Sequence, residues 1–114
     1  MIMVYKILRE PEWAAAQKTG TFGGSPDDLS DGFIHFSAAD QLCATAEEHF
    51  VGENALILLA IDAERLGADL RWEVSRGGQK FPHLYAGLPL NLVQWCRKIH
   101  RGPDGRCIFP PGVP

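Results

Sequence analysis

The 114-residue sequence has no apolar run long enough to cross a bilayer. Its longest, Ala55 to Ile61, falls far short of the roughly 20 residues a spanning helix needs. The amino terminus has no basic segment leading into an apolar one, so no secretory signal is expected and the cytoplasm is the default location. Cysteine is scarce: the three residues Cys43, Cys96 and Cys107 form no CxxC pair and leave one unmatched. They are expected to be reduced and mostly buried. No HExxH spacing groups the histidines, and no metal site is expected, although His35, His49, His83 and the cysteines are ligand types. The glycine-rich phosphate loops of dinucleotide and P-loop folds are missing, as is the GxSxG elbow of hydrolases. Basic charge is also sparse, with 11 Lys and Arg against 14 Asp and Glu. Its densest cluster, Arg97, Lys98, His100 and Arg101, is short. Binding to a nucleic-acid duplex is therefore not expected, whereas a small anionic ligand needs only one or two arginines.

What is present is the composition of one globular domain, 46% apolar and 22% charged, over residues 1–114. Val4 to Leu8 reads as a strand and Glu10 to Lys18 as a helix, opened by Pro11 and stopped by Gly20. Thr19 to Gly32 is dense in turn formers and reads as one irregular loop, a candidate binding edge. Phe33 to Phe36 is an apolar strand carrying one polar residue, His35. Ser37 is expected to cap a helix from Ala38 to Phe50, with Asp40 completing the box. The stripe Ala39, Leu42, Cys43, Ala46 and Phe50 would face the core, leaving Glu47 and Glu48 to solvent. Ala55 to Ile61 reads as a buried strand. Leu70 to Ser75 alternates, with Leu70, Trp72 and Val74 on one face and Arg71, Glu73 and Ser75 on the other. Gly87 to Leu90 reads as a bend. Leu92 to Ile99 alternates again, and a Gly- and Pro-rich tail, 101–114, closes the chain across the surface. Helices early and strands late predict an α+β fold with a mostly antiparallel sheet.

Three segments carry candidate chemistry. His35 lies at a strand end just before a helix, where ligands commonly sit; the plainer reading is a core histidine bonded to backbone. Arg71 and Glu73 share a strand face and are close enough to hold one ligand, or simply form a surface ion pair worth about 0.2–1 kcal/mol. Arg76, beside Gly77 and Gly78, presents a guanidinium from a tight bend. In Phe81-Pro82-His83-Leu84-Tyr85, the aromatics either stack on a base or plug the sheet edge. His49 and His100 read as surface residues without a role.

Taken together, Tyr5-Lys6-Ile7, Asp31-Gly32-Phe33-Ile34-His35-Phe36-Ser37, His49-Phe50, Leu70-Arg71-Trp72-Glu73 with Ser75-Arg76-Gly77-Gly78, and Phe81 to Tyr85 resemble domain of unknown function family 952, a largely bacterial family. A more distant resemblance is to the NAD-binding half of the ADP-ribosyltransferase superfamily, which includes RNA 2′-phosphotransferases. There Ile34-His35-Phe36-Ser37 looks like the second-strand motif that packs on nicotinamide. Tyr5-Lys6 stands where that superfamily usually has His or Arg, and His83 stands near its late-strand Glu. The resemblance implies an ADP-ribosyltransferase-like fold and a site for NAD or an ADP-ribose-type nucleotide. In that site His35, Glu73 and His83 would be catalytic in a transferase, with Lys6, Ser37, Arg71, Arg76 and Tyr85 holding the cofactor. The alternative is a non-catalytic module that takes a small anionic metabolite or a protein partner.

Overall fold

The computed structural model describes residues 1–111 and 113. Strand β1 (Met3–Arg9) runs into helix α1 (Glu10–Thr19), which Gly20 ends in the left-handed conformation at φ 83°. The short strand β2 (Thr21–Phe22) is followed by helix α2 (Pro26–Asp31), strand β3 (Ile34–His35) and helix α3 (Leu42–His49). Strands β4 (Leu56–Asp62), β5 (Leu70–Val74), β6 (Lys80–Leu84), β7 (Leu88–Pro89), β8 (Val93–Arg101) and β9 (Cys107–Ile108) complete the chain. The fold is α+β, and every described strand pair is antiparallel. Among the described residues no helix is long and apolar enough to cross a membrane.

The strands divide between two main sheets rather than forming one. The larger has the order β1-β4-β8-β9, the smaller β3-β6-β5, and β2 with β7 makes a separate ribbon. Among the described residues a single bridge joins the main sheets: Tyr5 and Ser37 exchange backbone hydrogen bonds of 2.8 Å in both directions. One apolar cluster fills the space between them, with Val4, Leu8, Leu59 and Ile61 from the larger sheet meeting Ile34, Phe36 and Leu84. A second cluster covers the opposite face of the larger sheet, where Leu42 and Ala46 of α3 meet Tyr5, Ile7 and Leu58. Because both of its faces are covered, β4 is buried throughout and reads as unbroken hydrophobicity.

Several local expectations are corrected. The supposed loop 19–32 contains β2 and α2, because Ser25-Pro26-Asp27-Asp28 is a helix start: the Asp28 side chain accepts the Ser25 N–H at 2.8 Å, and Gly32 ends the helix at φ 86°. Ser37 does not cap the next helix. Its backbone is committed to Tyr5, and the start passes to Ala38, whose N–H donates to Gln41 Oε1 at 2.9 Å. A 3₁₀ turn, Ala39–Gln41, precedes α3, and its tighter winding changes the phase of the apolar stripe. Leu42 and Ala46 face the core while Cys43 is exposed. Cys96 and Cys107 are only partly covered, so the expectation of mostly buried cysteines fails. The bend at Gly87 to Leu90 contains β7. The tail forms β9 against His100 and Arg101; its residues Gly112 and Pro114 lie outside the described residues.

Candidate functional site

A cleft of about 210 Å³ opens where the two main sheets diverge. Strand β1 supplies Lys6, Ile7 and Arg9, and α2 with its flanks supplies Ser25, Asp27, Asp28, Ser30 and Asp31. His35, Phe81 and His83 come from the smaller sheet, and Thr45, His49 and Phe50 from α3 and its end.

The centre is built on Asp28, whose side chain is 2% exposed. Alternation along β1 turns Lys6 inward with Val4 and Leu8, so its ammonium enters the core and requires a counter-charge. Asp28 provides it, at 2.9 and 3.1 Å. The same carboxylate accepts the backbone N–H of Ser25 at 2.8 Å and of His35 at 3.0 Å, and lies 2.6 Å from His35 Nδ1. Burial alone would raise the Asp28 pKa, but the bonds from His35, Lys6 and Ser25 outweigh it and hold the group at about 2. Burial pulls Lys6 below its ordinary value, with Asp28 opposing that shift. The other ring nitrogen of His35, Nε2, lies 2.9 Å from Asp31, an exposed carboxylate at the end of α2. Both contacts are hydrogen bonds only while the ring carries two protons.

A second imidazole stands beside the first. His35 and His83 are register partners on β3 and β6, with ring centroids 5.6 Å apart, and the Phe33 ring stacks on His83 at 4.0 Å. His83 Nδ1 meets Glu73 at 2.9 Å, and the Tyr85 hydroxyl donates to the same Glu73 oxygen at 2.6 Å. The hydroxyl and then the ring hold the Glu73 carboxylate below its ordinary value, and Glu73 raises Tyr85 in return. At the α3 end, Arg76 donates to Thr45 Oγ1 at 3.1 Å and pairs with Glu48 at 2.5 Å; Ser37 Oγ lies 3.0 Å from that Thr45 oxygen.

The structure thus brings His35, His83, Lys6, Ser37 and Arg76 into one cleft. Glu73, Arg71 and Tyr85 lie outside its lining. Glu73 reaches the cleft only through His83, and Arg71 rests its guanidinium 4.7 Å from the Tyr85 ring centroid. Sequence reading overlooked Asp28 and Asp31, although Ser25-Pro26 followed by an aspartate at the third helical position and Gly32 marks a helix whose Asp28 turns back. It also dismissed His49, which lines the cleft. No metal-binding group of three His, Cys, Asp or Glu occurs among the described residues.

Similar structures have been solved. The crystal structure of protein CC0527 from Caulobacter crescentus is 48% identical, with a TM-score of 0.90 and 93% of each chain covered. The solution NMR structure of CC0527 is 49% identical, with a TM-score of 0.84 over 93% of this chain and 91% of that one. Comparison with curated proteins gave no match. The model of a family described as "Protein of unknown function (DUF952)" matches residues 7–96, and the chain belongs to that family.

Proposed function

We propose that the cleft binds NAD or a related ADP-ribose nucleotide and acts at the ribose, with His35 as the acid–base group. The observation that carries this reading is His35 itself: partly exposed in an open cleft, yet fixed by a buried carboxylate. An imidazole so oriented is arranged for proton transfer rather than for packing. Phe33 lies outside the cleft lining and stacks on the buried His83 ring, so it braces the imidazole pair rather than offering a surface to a base. Arg76 is the cation best placed for the pyrophosphate. Its partner Glu48 is exposed while Arg76 itself is half-buried; a pair open to water on one side is worth about 1 kcal/mol, so an incoming phosphate displaces the glutamate at little cost. Lys6 serves differently, as the charge that keeps Asp28 ionised. In the reaction the C1′–N bond to nicotinamide breaks and nicotinamide leaves with the bonding electrons. A hydroxyl or water oxygen then bonds to C1′ and gives its proton to His35 Nε2, once that nitrogen has lost its own proton and Asp31 has moved away from it. His83 lines the same cleft with its Nδ1 held by Glu73.

A non-catalytic binding module is the second reading, and Asp31 favours it: with Asp28 on Nδ1 and Asp31 on Nε2, His35 has no ring nitrogen free until Asp31 moves. Titration calorimetry with NAD and with ADP-ribose tests both. We expect binding that His35→Ala weakens by about tenfold or more, equal to roughly 1.4 kcal/mol, and release of nicotinamide from NAD only if the site is catalytic. Absence of heat with either nucleotide sinks the nucleotide reading altogether.

A further inference from the structure

Strand β5 is the free edge of the smaller sheet, and of the features that usually protect an edge it has only its short length and the charges of Arg71 and Glu73. Among the described residues it pairs only with β6, and Leu70-Arg71-Trp72-Glu73-Val74 contains no proline, lysine or bulge. Its apolar side chains are unusually open for a strand read as half buried: Trp72 is 40% and Val74 66% exposed. Backbone direction can be assigned from the hydrogen bonds at its two ends. Ser75 N–H donates to Gln79 and Tyr85 N–H to the Asp69 carbonyl, so odd-numbered residues point their peptide groups at β6. The even-numbered ones point outward. Leu70 N–H is already bonded to the Gly67 carbonyl. That leaves the Leu70 carbonyl and both peptide groups of Trp72 and Val74 without a partner among the described residues.

The five residues are also self-complementary when reversed. With Trp72 opposite Trp72 of a second copy, Arg71 faces the copy's Glu73, and Leu70 faces its Val74. That register meets the outward peptide groups: Trp72 bonds Trp72 in both directions, and each Val74 N–H reaches the opposite Leu70 carbonyl. The result is four backbone hydrogen bonds and two cross-strand ion pairs about one twofold axis. We propose that β5 pairs antiparallel with β5 of a second copy of this chain, joining the two smaller sheets into one of six strands. Both clefts then open on the same side of the joined sheet. The contact is smaller than the roughly 1,200–2,000 Å² of stable complexes, so the dimer is a weak one, with a dissociation constant on the order of 100 μM.

Sedimentation equilibrium from micromolar to millimolar concentration is expected to show a reversible monomer–dimer equilibrium. Amide exchange measured across the same range tests the register. The Trp72 and Val74 amides should slow on concentration, whereas those of Arg71 and Glu73, already bonded within the chain, should not change. Val74→Lys keeps the fold, since that side chain is exposed, and is expected to abolish association. Arg71→Glu sets glutamates face to face and should weaken association at least tenfold; adding Glu73→Arg restores opposite signs and recovers it. A chain that stays monomeric at millimolar concentration, leaving the edge to a strand of some other protein, overturns the proposal. So does a dimer whose Trp72 and Val74 amides exchange at the monomer rate, or a folded double variant that fails to recover.

Discussion

At the scale of single residues, Asp28 decides whether the cleft exists in a usable form. Its carboxylate neutralises a lysine that β1 directs into the core, closes the first turn of α2 and orients His35. Removing its charge leaves the Lys6 ammonium buried and unpaired, so Asp28→Asn is expected to destabilise the protein by about 3–5 kcal/mol at neutral pH. The acid dependence has a definite sign. Asp28 is lowered from 3.8 to about 2 in the folded chain, so its contribution is complete above about pH 4. As the pH falls below 3.8, the unfolded chain takes up the proton first, and about 2 kcal/mol is lost by the time the pH reaches the folded value. Urea denaturation of both proteins at pH 7 and near pH 2 should therefore show the difference between them narrowing by that amount; an unchanged difference would refute the assignment. His35 stood out as the one polar residue inside an apolar strand and His83 within a dense aromatic segment, whereas Lys6 and Ser37 entered the site only through the family resemblance. Asp28 did not stand out, because it lies among so many turn formers that a helical position looked like one more loop residue.

At the scale of elements, the long strands were legible and most of the short ones were not. Unbroken hydrophobicity marks β4 and alternation marks β8, since each has enough residues to display its period. The two-residue strands β2 and β7 have no period to read, and tertiary pairing alone defines them, whereas β3 was read within Phe33 to Phe36 from its apolar residues. The face of β5 bearing Trp72 alternates as a half-buried strand does, yet the strand sits at an edge, which periodicity does not reveal. Helix α2 was hidden by brevity, although both of its ends are signalled by residues whose geometry permits little else. Two glycines that flank it separate positioning from stability. Gly32 has φ 86° with open space around it, so Gly32→Ala meets backbone strain alone and should cost about 1–2 kcal/mol. At Gly24, φ is 122° and a Cβ would lie 2.9 Å from the Asp28 Cβ, so Gly24→Ala must also push Asp28 away. Both variants should melt earlier, but only Gly24→Ala is expected to move the ¹⁵N shifts of the His35 ring. Equal shifts in both would show that α2 moves as a body and that Asp28 is not the specific link.

At the scale of the whole molecule, the question is whether two sheets joined by one backbone bridge behave as one cooperative unit. The Tyr5–Ser37 bridge contributes two hydrogen bonds, worth about 1–3 kcal/mol in all, too little to couple the sheets by itself. The shared apolar cluster does more. Leu59 and Ile61 of β4 lie in the same buried group as Ile34 of β3 and Leu84 of β6, so neither sheet can leave without exposing the other's inner face. The cleft depends on this coupling, because β1 carries Lys6 while β3 and β6 carry the two imidazoles. Truncating one wall of the cluster should therefore weaken both sheets equally. Leu59 is completely buried, and Leu59→Ala is expected to cost about 3 kcal/mol, a factor of roughly 100 in the unfolding equilibrium. Under native conditions, the slowest-exchanging amides of β4 and of β6 should both speed up by that factor, since they open only when the whole domain unfolds. If the β6 amides kept their original rates while β4 responded, the sheets would unfold separately, and the cleft would be a junction between two independent units.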